Sequence, residues 1–91
     1  MPVQVKLPTL LRSHAGGQAR IEGEGSTLRE LLADLEARHP GLTRNFLSAE
    51  GELHRFVNIY VNDEDVRYLG ALETEIRTGD IVSILPAVAG G

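Results

Sequence analysis

The order of hydrophobic periods along this 91-residue chain predicts an α+β fold, with one amphipathic helix packed across a mixed β-sheet. Three observations carry the prediction. Apolar residues alternate at a two-residue period near the start, a single stretch then repeats them at helical spacing, and the most apolar run, "IVSILP" at residues 81–86, closes the series. A chain of this length makes one domain, with enough residues for a core and little stability to spare.

"PVQVKLP" sets Val3, Val5 and Leu7 on one side of a strand, with Gln4 and Lys6 on the other, and Pro8 ends it. After a loop with "HAGG" at its tip, "QARIEGEG" supplies a second strand around Ile21, antiparallel to the first. "STLRELLADLEARHPG" is the helix. Thr27 and Glu30 form a capping-box pattern, Leu28, Leu31, Leu32 and Leu35 line one face, and His39, Pro40 and Gly41 stop it. "LTRNFLS" adds a further turn or two, with Leu42, Phe46 and Leu47 directed under the core.

"HRFVNIYVND" returns to the strand period, with Val57, Ile59 and Val61 on one face and Phe56, Asn58 and Tyr60 on the other, away from the helix. "NDED" turns the chain and "VRYLG" pairs back briefly. An irregular stretch then carries Leu69, Leu72 and Ile76 to the turn "RTGD", and "IVSILP" reads as a central strand. A helix that follows two antiparallel strands, with the first and last strands side by side at the sheet's centre, is the β-grasp, or ubiquitin-like, architecture. The domain then spans residues 1–86, and residues 87–91, "AVAGG", form a flexible, protruding C-terminal diglycine tail.

Composition narrows the function. A hydrophobic fraction of 42% and a charged fraction of 24% belong to a globular chain and not to a disordered one. The absence of cysteine excludes disulfides, thiolate catalysis and thiolate metal sites on this chain. With a net charge of −4 and nine scattered Lys and Arg residues, no nucleic-acid partner is expected. No stretch approaches the length of a membrane span and the amino terminus lacks the long apolar segment of a secretory signal, so a cytoplasmic location and no membrane partner are expected.

His14, His39 and His54 show no ligand spacing, and each neighbours a turn or an element end, so they read as surface or capping residues. "NDED" lacks the glycine and distal glutamate of a calcium loop and reads as a solvated turn. No metal site is expected. No nucleophile, base and orienting group stand together, so no catalytic residue is assigned and the chain is expected to be a substrate of other enzymes.

The tail has two readings: a frayed end, or a pointer into the active site of another protein. A glycine pair can thread a narrow channel and present its carboxylate without steric hindrance. The ionised carboxylate of Gly91 is a poor electrophile, so acyl chemistry there requires activation by ATP as an acyl-adenylate. An amine would then give an amide conjugate, whereas sulfide or a persulfide would give a thiocarboxylate able to donate sulfur. Phe56 and Tyr60, on the helix-free face, either pack against nearby loops or anchor a docked partner.

The tail "LPAVAGG", the stretch "LHRFVNIYVNDEDVR" at residues 53–67, "LPTLLR" near the start and "GDIVSILPAVAGG" at the end resemble the MoaD/ThiS group of ubiquitin-like sulfur carriers, within it the CysO-like branch. The resemblance covers nearly the whole chain and departs in "ARHPGLTRNFLSAEGE". It implies that Gly90 and Gly91 form the reactive end, that Gly91 is adenylated and converted to a thiocarboxylate, and that Ala87, Val88 and Ala89 thread the partner's active site. It further implies three partners in cysteine biosynthesis: a ubiquitin-activating-type enzyme, a pyridoxal-phosphate-dependent cysteine synthase acting on O-phosphoserine, and a JAMM-type zinc peptidase. ATP and Mg²⁺ would be used by the activating enzyme, with no cofactor held tightly by the carrier. Related destinations are the small subunit of molybdopterin synthase and a shared carrier for thiosugar or other natural-product biosynthesis; a protein modifier conjugated to lysines is the alternative of another class.

Overall fold

Val3–Lys6 forms strand β1 and Arg20–Gly23 forms β2, with Val5 opposite Ile21 in an antiparallel pair. The computed structural model describes residues 2–45, 47–48, 52 and 57–86. The connection between the two strands is more ordered than the open loop expected: Thr9–Ala15 is a 3-10 helix that buries Leu11 and Ala15. Pro8 at its N-cap cannot continue the ladder, and Gly16, in the left-handed conformation at φ 65°, ends it. Arg12 Nε donates to the Leu7 carbonyl oxygen (3.3 Å), tying this helix back to the end of β1.

Leu28–Arg38 forms α1, capped by Thr27, whose hydroxyl accepts from the Glu30 N–H at 3.2 Å. The reciprocal half of the capping box is displaced by one residue, because Glu30 Oε1 accepts from the Ser26 N–H at 2.7 Å. Leu28, Leu31, Leu32 and Leu35 are fully buried, and each contributes about 1.5–3 kcal/mol through the apolar area removed from water. The start of the helix is also bound to the loop ahead of the last strand: the Leu28 N–H donates to the Thr74 carbonyl oxygen and the Ile76 N–H to that of Ser26, both at 2.9 Å.

Beyond the helix, the Glu36 carboxylate accepts from the Gly41 N–H at 2.7 Å, the Thr43 N–H at 3.1 Å and the Thr43 hydroxyl at 2.6 Å. These donors, the Gly41 N–H foremost, favour the ionised form and hold its pKa below the ordinary glutamate value of 4.5. The reversal they fix turns Leu42 into the core. The expected further turn is the 3-10 segment Thr43–Asn45, and Leu47 packs against the core, while Phe46 lies outside the described residues.

Val57–Val61, Glu64–Asp65 and Ile81–Pro86 form β3, β4 and β5. The sheet order is β2-β1-β5-β3-β4, with β1 parallel to β5 and every other pair antiparallel. Val3, Val5, Ile21, Val57, Ile59, Val61, Val82 and Ile84 form its buried face, clustered with the leucines of α1. This is the mixed, helix-crossed sheet of the ubiquitin-like β-grasp, with the first and last strands adjacent at its centre.

The return pairing differs from the one expected at "VRYLG". Asn62 and Asp63 both adopt positive φ, 51° and 72°, as a two-residue hairpin turn requires, so pairing resumes at once through Glu64 and Asp65. Asp65 Oδ1 then accepts from the Arg67 N–H at 2.9 Å and starts the 3-10 turn Val66–Tyr68. Val66, Leu72 and Ile76 reach the core, whereas Tyr68 and Leu69 stay exposed.

Candidate functional site

The alternation of "IVSILP" sends Val82 and Ile84 into the core and leaves Ile81, Ser83 and Leu85 on the helix-free face. β5 is gripped on both sides: Lys6 of β1 stands opposite Ser83, and β3 pairs with β5 from Val61 opposite Val82 to Val57 opposite Pro86. Pro86 is thus the last residue of a central strand. Ala87, Val88, Ala89, Gly90 and Gly91, the expected reactive tail, lie outside the described residues.

Near the end of β5, the flank of β3 that no strand among the described residues covers is closed by a side chain. Arg67 Nη2 donates to the Val57 carbonyl oxygen at 2.8 Å, and its Nη1 donates to Asn58 Oδ1 at 2.5 Å. Charge-assisted donors of this kind do for an open carbonyl what a neighbouring strand would do.

Across the helix-free face the register sets Arg20, Lys6, Ser83, Tyr60 and Asp65 in one row over all five strands. Tyr60 is half-buried there, as its place in the alternation implied. With Lys6, Leu7, Asp63, Ser83, Ile84 and Leu85 it lines a shallow groove of about 260 Å³. Leu85, 47% exposed, gives the groove an apolar edge one residue before the end of β5. Phe56, the other expected docking residue, lies outside the described residues, so the face is described through Tyr60 alone.

The remaining polar candidates separate from this site. Among the described residues no group of three His, Cys, Asp or Glu side chains could hold a metal ion, and His14 and His39 stand in different parts of the fold; His54 lies outside those residues. The turn at Asn62 is structural: Asn62 Nδ2 donates to Asp80 Oδ1 at 2.9 Å, and its Oδ1 accepts from the Ile81 N–H at 3.0 Å, pinning the start of β5. No helix among the described residues is long and apolar enough to cross a membrane. Arg67 and the Lys6–Arg20 pair escaped the sequence reading because their importance lies in register and in cross-strand neighbours; the alternation of "QVK" and "ARIEG" was the signal that put both cations on the outer face.

Residues 5–91 match the ThiS family. Over the whole of both chains the sequence is 55% identical, across 93 aligned residues, to sulfur carrier protein CysO of Mycobacterium tuberculosis. The crystal structure of the M. tuberculosis protein superposes with a TM-score of 0.91 at 52% identity, covering 94% of this chain and 99% of that one. In the crystal structure of the Amycolatopsis orientalis BexX/CysO complex, a chain 53% identical superposes with a TM-score of 0.90, covering 98% of this chain and 99% of that one. Small archaeal modifier protein 3 of Haloferax volcanii is 35% identical over 68 residues, covering 75% of this chain and 73% of its own length.

Proposed function

Because the chain belongs to the ThiS family, we propose that it is a sulfur carrier whose C-terminal Gly91 is activated by a partner and converted to a thiocarboxylate. The observation that carries this reading is the place of Pro86, paired with Val57 at the end of the central strand β5, with Gly90 and Gly91 following four and five residues later in the sequence. A strand-paired root and a pair of glycines without side chains suit a segment that is handed from one active site to another. The 55% identity to a sulfur carrier over both full lengths supports the same reading.

In this reading the Gly91 carboxylate attacks the α-phosphate of ATP, held with Mg²⁺ by a ubiquitin-activating-type enzyme, and pyrophosphate leaves. Sulfide then displaces AMP from the acyl carbon to give the thiocarboxylate directly, or a persulfide displaces it to give an acyl disulfide, from which a second thiol releases the thiocarboxylate by forming a disulfide with the outer sulfur. On a pyridoxal-phosphate-dependent cysteine synthase the thiocarboxylate sulfur would replace the phosphate of O-phosphoserine, and acyl transfer from that sulfur to the amine would leave a cysteine joined to the carrier by an amide. A JAMM-type zinc peptidase releases that cysteine and restores Gly91. The chain's own part is to dock, to aim Gly90 and Gly91, and to pass Ala87, Val88 and Ala89 through a partner's channel. The A. orientalis BexX/CysO complex, which contains a chain 53% identical to this one, supports docking of the folded domain on another protein.

The test is to incubate the purified chain with the activating enzyme, ATP, Mg²⁺ and sulfide, alkylate it, and measure intact and C-terminal peptide masses. With no cysteine in the chain, alkylation placed on the terminal peptide reports a thiocarboxylate. An adenylate without alkylation rejects sulfur transfer. The similarity to a small archaeal modifier supports a second reading, conjugation to protein amines, which predicts higher-mass species that vanish when Gly91 is deleted.

A further inference from the structure

We propose that Lys6 and Arg20, side by side on the helix-free face, form a docking site for an acidic surface of the enzyme that activates the tail; this rests on the carrier reading above. The two residues are direct cross-strand partners in the antiparallel β1–β2 pair, so both project from the same face with Cβ atoms about 5 Å apart. Like charges in that position oppose folding. Both side chains are exposed, and neither makes an ion pair or a side-chain hydrogen bond among the described residues.

The chain has carboxylates enough to neutralise such a pair, 13 against nine Lys and Arg. On this same face, however, Glu22 stands opposite neutral Gln4 and a cation stands opposite a cation. The arrangement contributes nothing to the sheet, and it concentrates positive charge on one flank of the groove lined by Lys6, Tyr60, Ser83 and Leu85. Asp63 lines the other side. A complementary surface therefore has an apolar centre to meet Tyr60 and Leu85, with carboxylates on the β1–β2 side. Lys6 is opposite Ser83, three residues or roughly 10 Å before the end of β5, so a partner seated here is oriented relative to the emerging tail. A nucleic-acid backbone does not fit this site, because two cations in a chain of net charge −4 give no continuous basic track.

The test uses Lys6→Glu and Arg20→Glu singly in the full chain, each of which turns the like-charge pair into an opposite-charge pair. Thermal unfolding is expected to be unchanged or to shift upward. Titration with the cognate activating enzyme at low and high salt is expected to show Kd weakened roughly tenfold by each change, with a flatter salt dependence than the wild type. In steady-state adenylation KM rises and kcat stays unchanged. Lys6→Gln and Arg20→Gln, which remove charge without reversing it, should weaken binding less than the reversals. Wild-type Kd and salt dependence in both reversal variants would overturn the proposal, as would a loss confined to kcat. If wild-type chain binds the enzyme but yields no adenylate, the carrier reading fails and docking is judged on Kd alone; if it is adenylated and the variants match it, docking alone fails.

Discussion

Arg67 reaches across the open flank of β3 to the carbonyl oxygen of Val57, 2.8 Å away, and Val57 is the residue paired with Pro86. β4 is too short to cover this part of β3, since it pairs only with Tyr60 and Val61. Among the described residues, one guanidinium therefore takes the place of a strand at the edge beside the end of β5.

Replacing Arg67 with Ala should lower stability by about 1 kcal/mol, the scale of a charge-assisted bond discounted for exposure. Backbone amide exchange should quicken at Asn58 and Leu85, which are opposite each other in the register, and remain unchanged at Val5 and Ile21. Denaturant titration and exchange-detected NMR check both; equal protection in variant and wild type would show that the edge needs no such cover.

Glu36 makes a pH-dependent contribution of known sign. Its folded pKa is depressed below 4.5, so its stabilising effect is present above the unfolded value and is lost as the pH falls through the folded pKa. Glu36→Gln should lower Tm at pH 7, and the difference from wild type should shrink progressively below pH 4.5. Thermal melts over pH 2.5–7 make the comparison, and a gap that stays constant over that range would remove Glu36 from the titrating set.

A Cβ at Gly25 would stand 2.5 Å from the Leu31 backbone nitrogen and 2.9 Å from the Glu30 carbonyl carbon. Neither atom can yield without shifting the first turn of α1. Gly25→Ala should therefore cost about 1–3 kcal/mol by chemical denaturation, as overpacked sites do, and a stability equal to wild type would mean that the helix start adjusts freely.

Asn62 combines a positive φ with two side-chain bonds to the opposite loop. Asn62→Ala places a less tolerant residue in the left-handed region and frees the Ile81 N–H, for an expected loss of about 2 kcal/mol. Urea titration measures it. Asn62→Gly, which relieves the backbone and still removes the bonds, should fall between Ala and wild type.

The elements built on short periods were legible in the sequence. Val3 and Val5, the four leucines of α1, and Val57, Ile59 and Val61 declare their faces through spacing alone, and the structure buries all of them. The 3-10 helix at Thr9–Ala15 was not, because its signal is a proline start and a left-handed glycine stop around only two buried side chains. The return pairing was misplaced toward Val66 because a side-chain cap from Asp65 competes with the strand there. At the candidate site, the sequence exposed Tyr60 by alternation and marked the tail by composition. The facing of Lys6 by Arg20 became visible only with the register, which joins residues 14 positions apart.

The placement of β5 bears on how damaged copies of the protein behave. Among the described residues it is the last strand in chain order, yet it alone joins the β1–β2 hairpin to the β3–β4 hairpin. A nascent chain cannot complete this sheet until Ile81–Pro86 has left the ribosome, and a message truncated before Ile81 yields two hairpins with open edges in place of the five-stranded sheet. Such a product leaves the facing edges of β1 and β3 unpaired, which makes it a template for aggregation and a target for proteolysis.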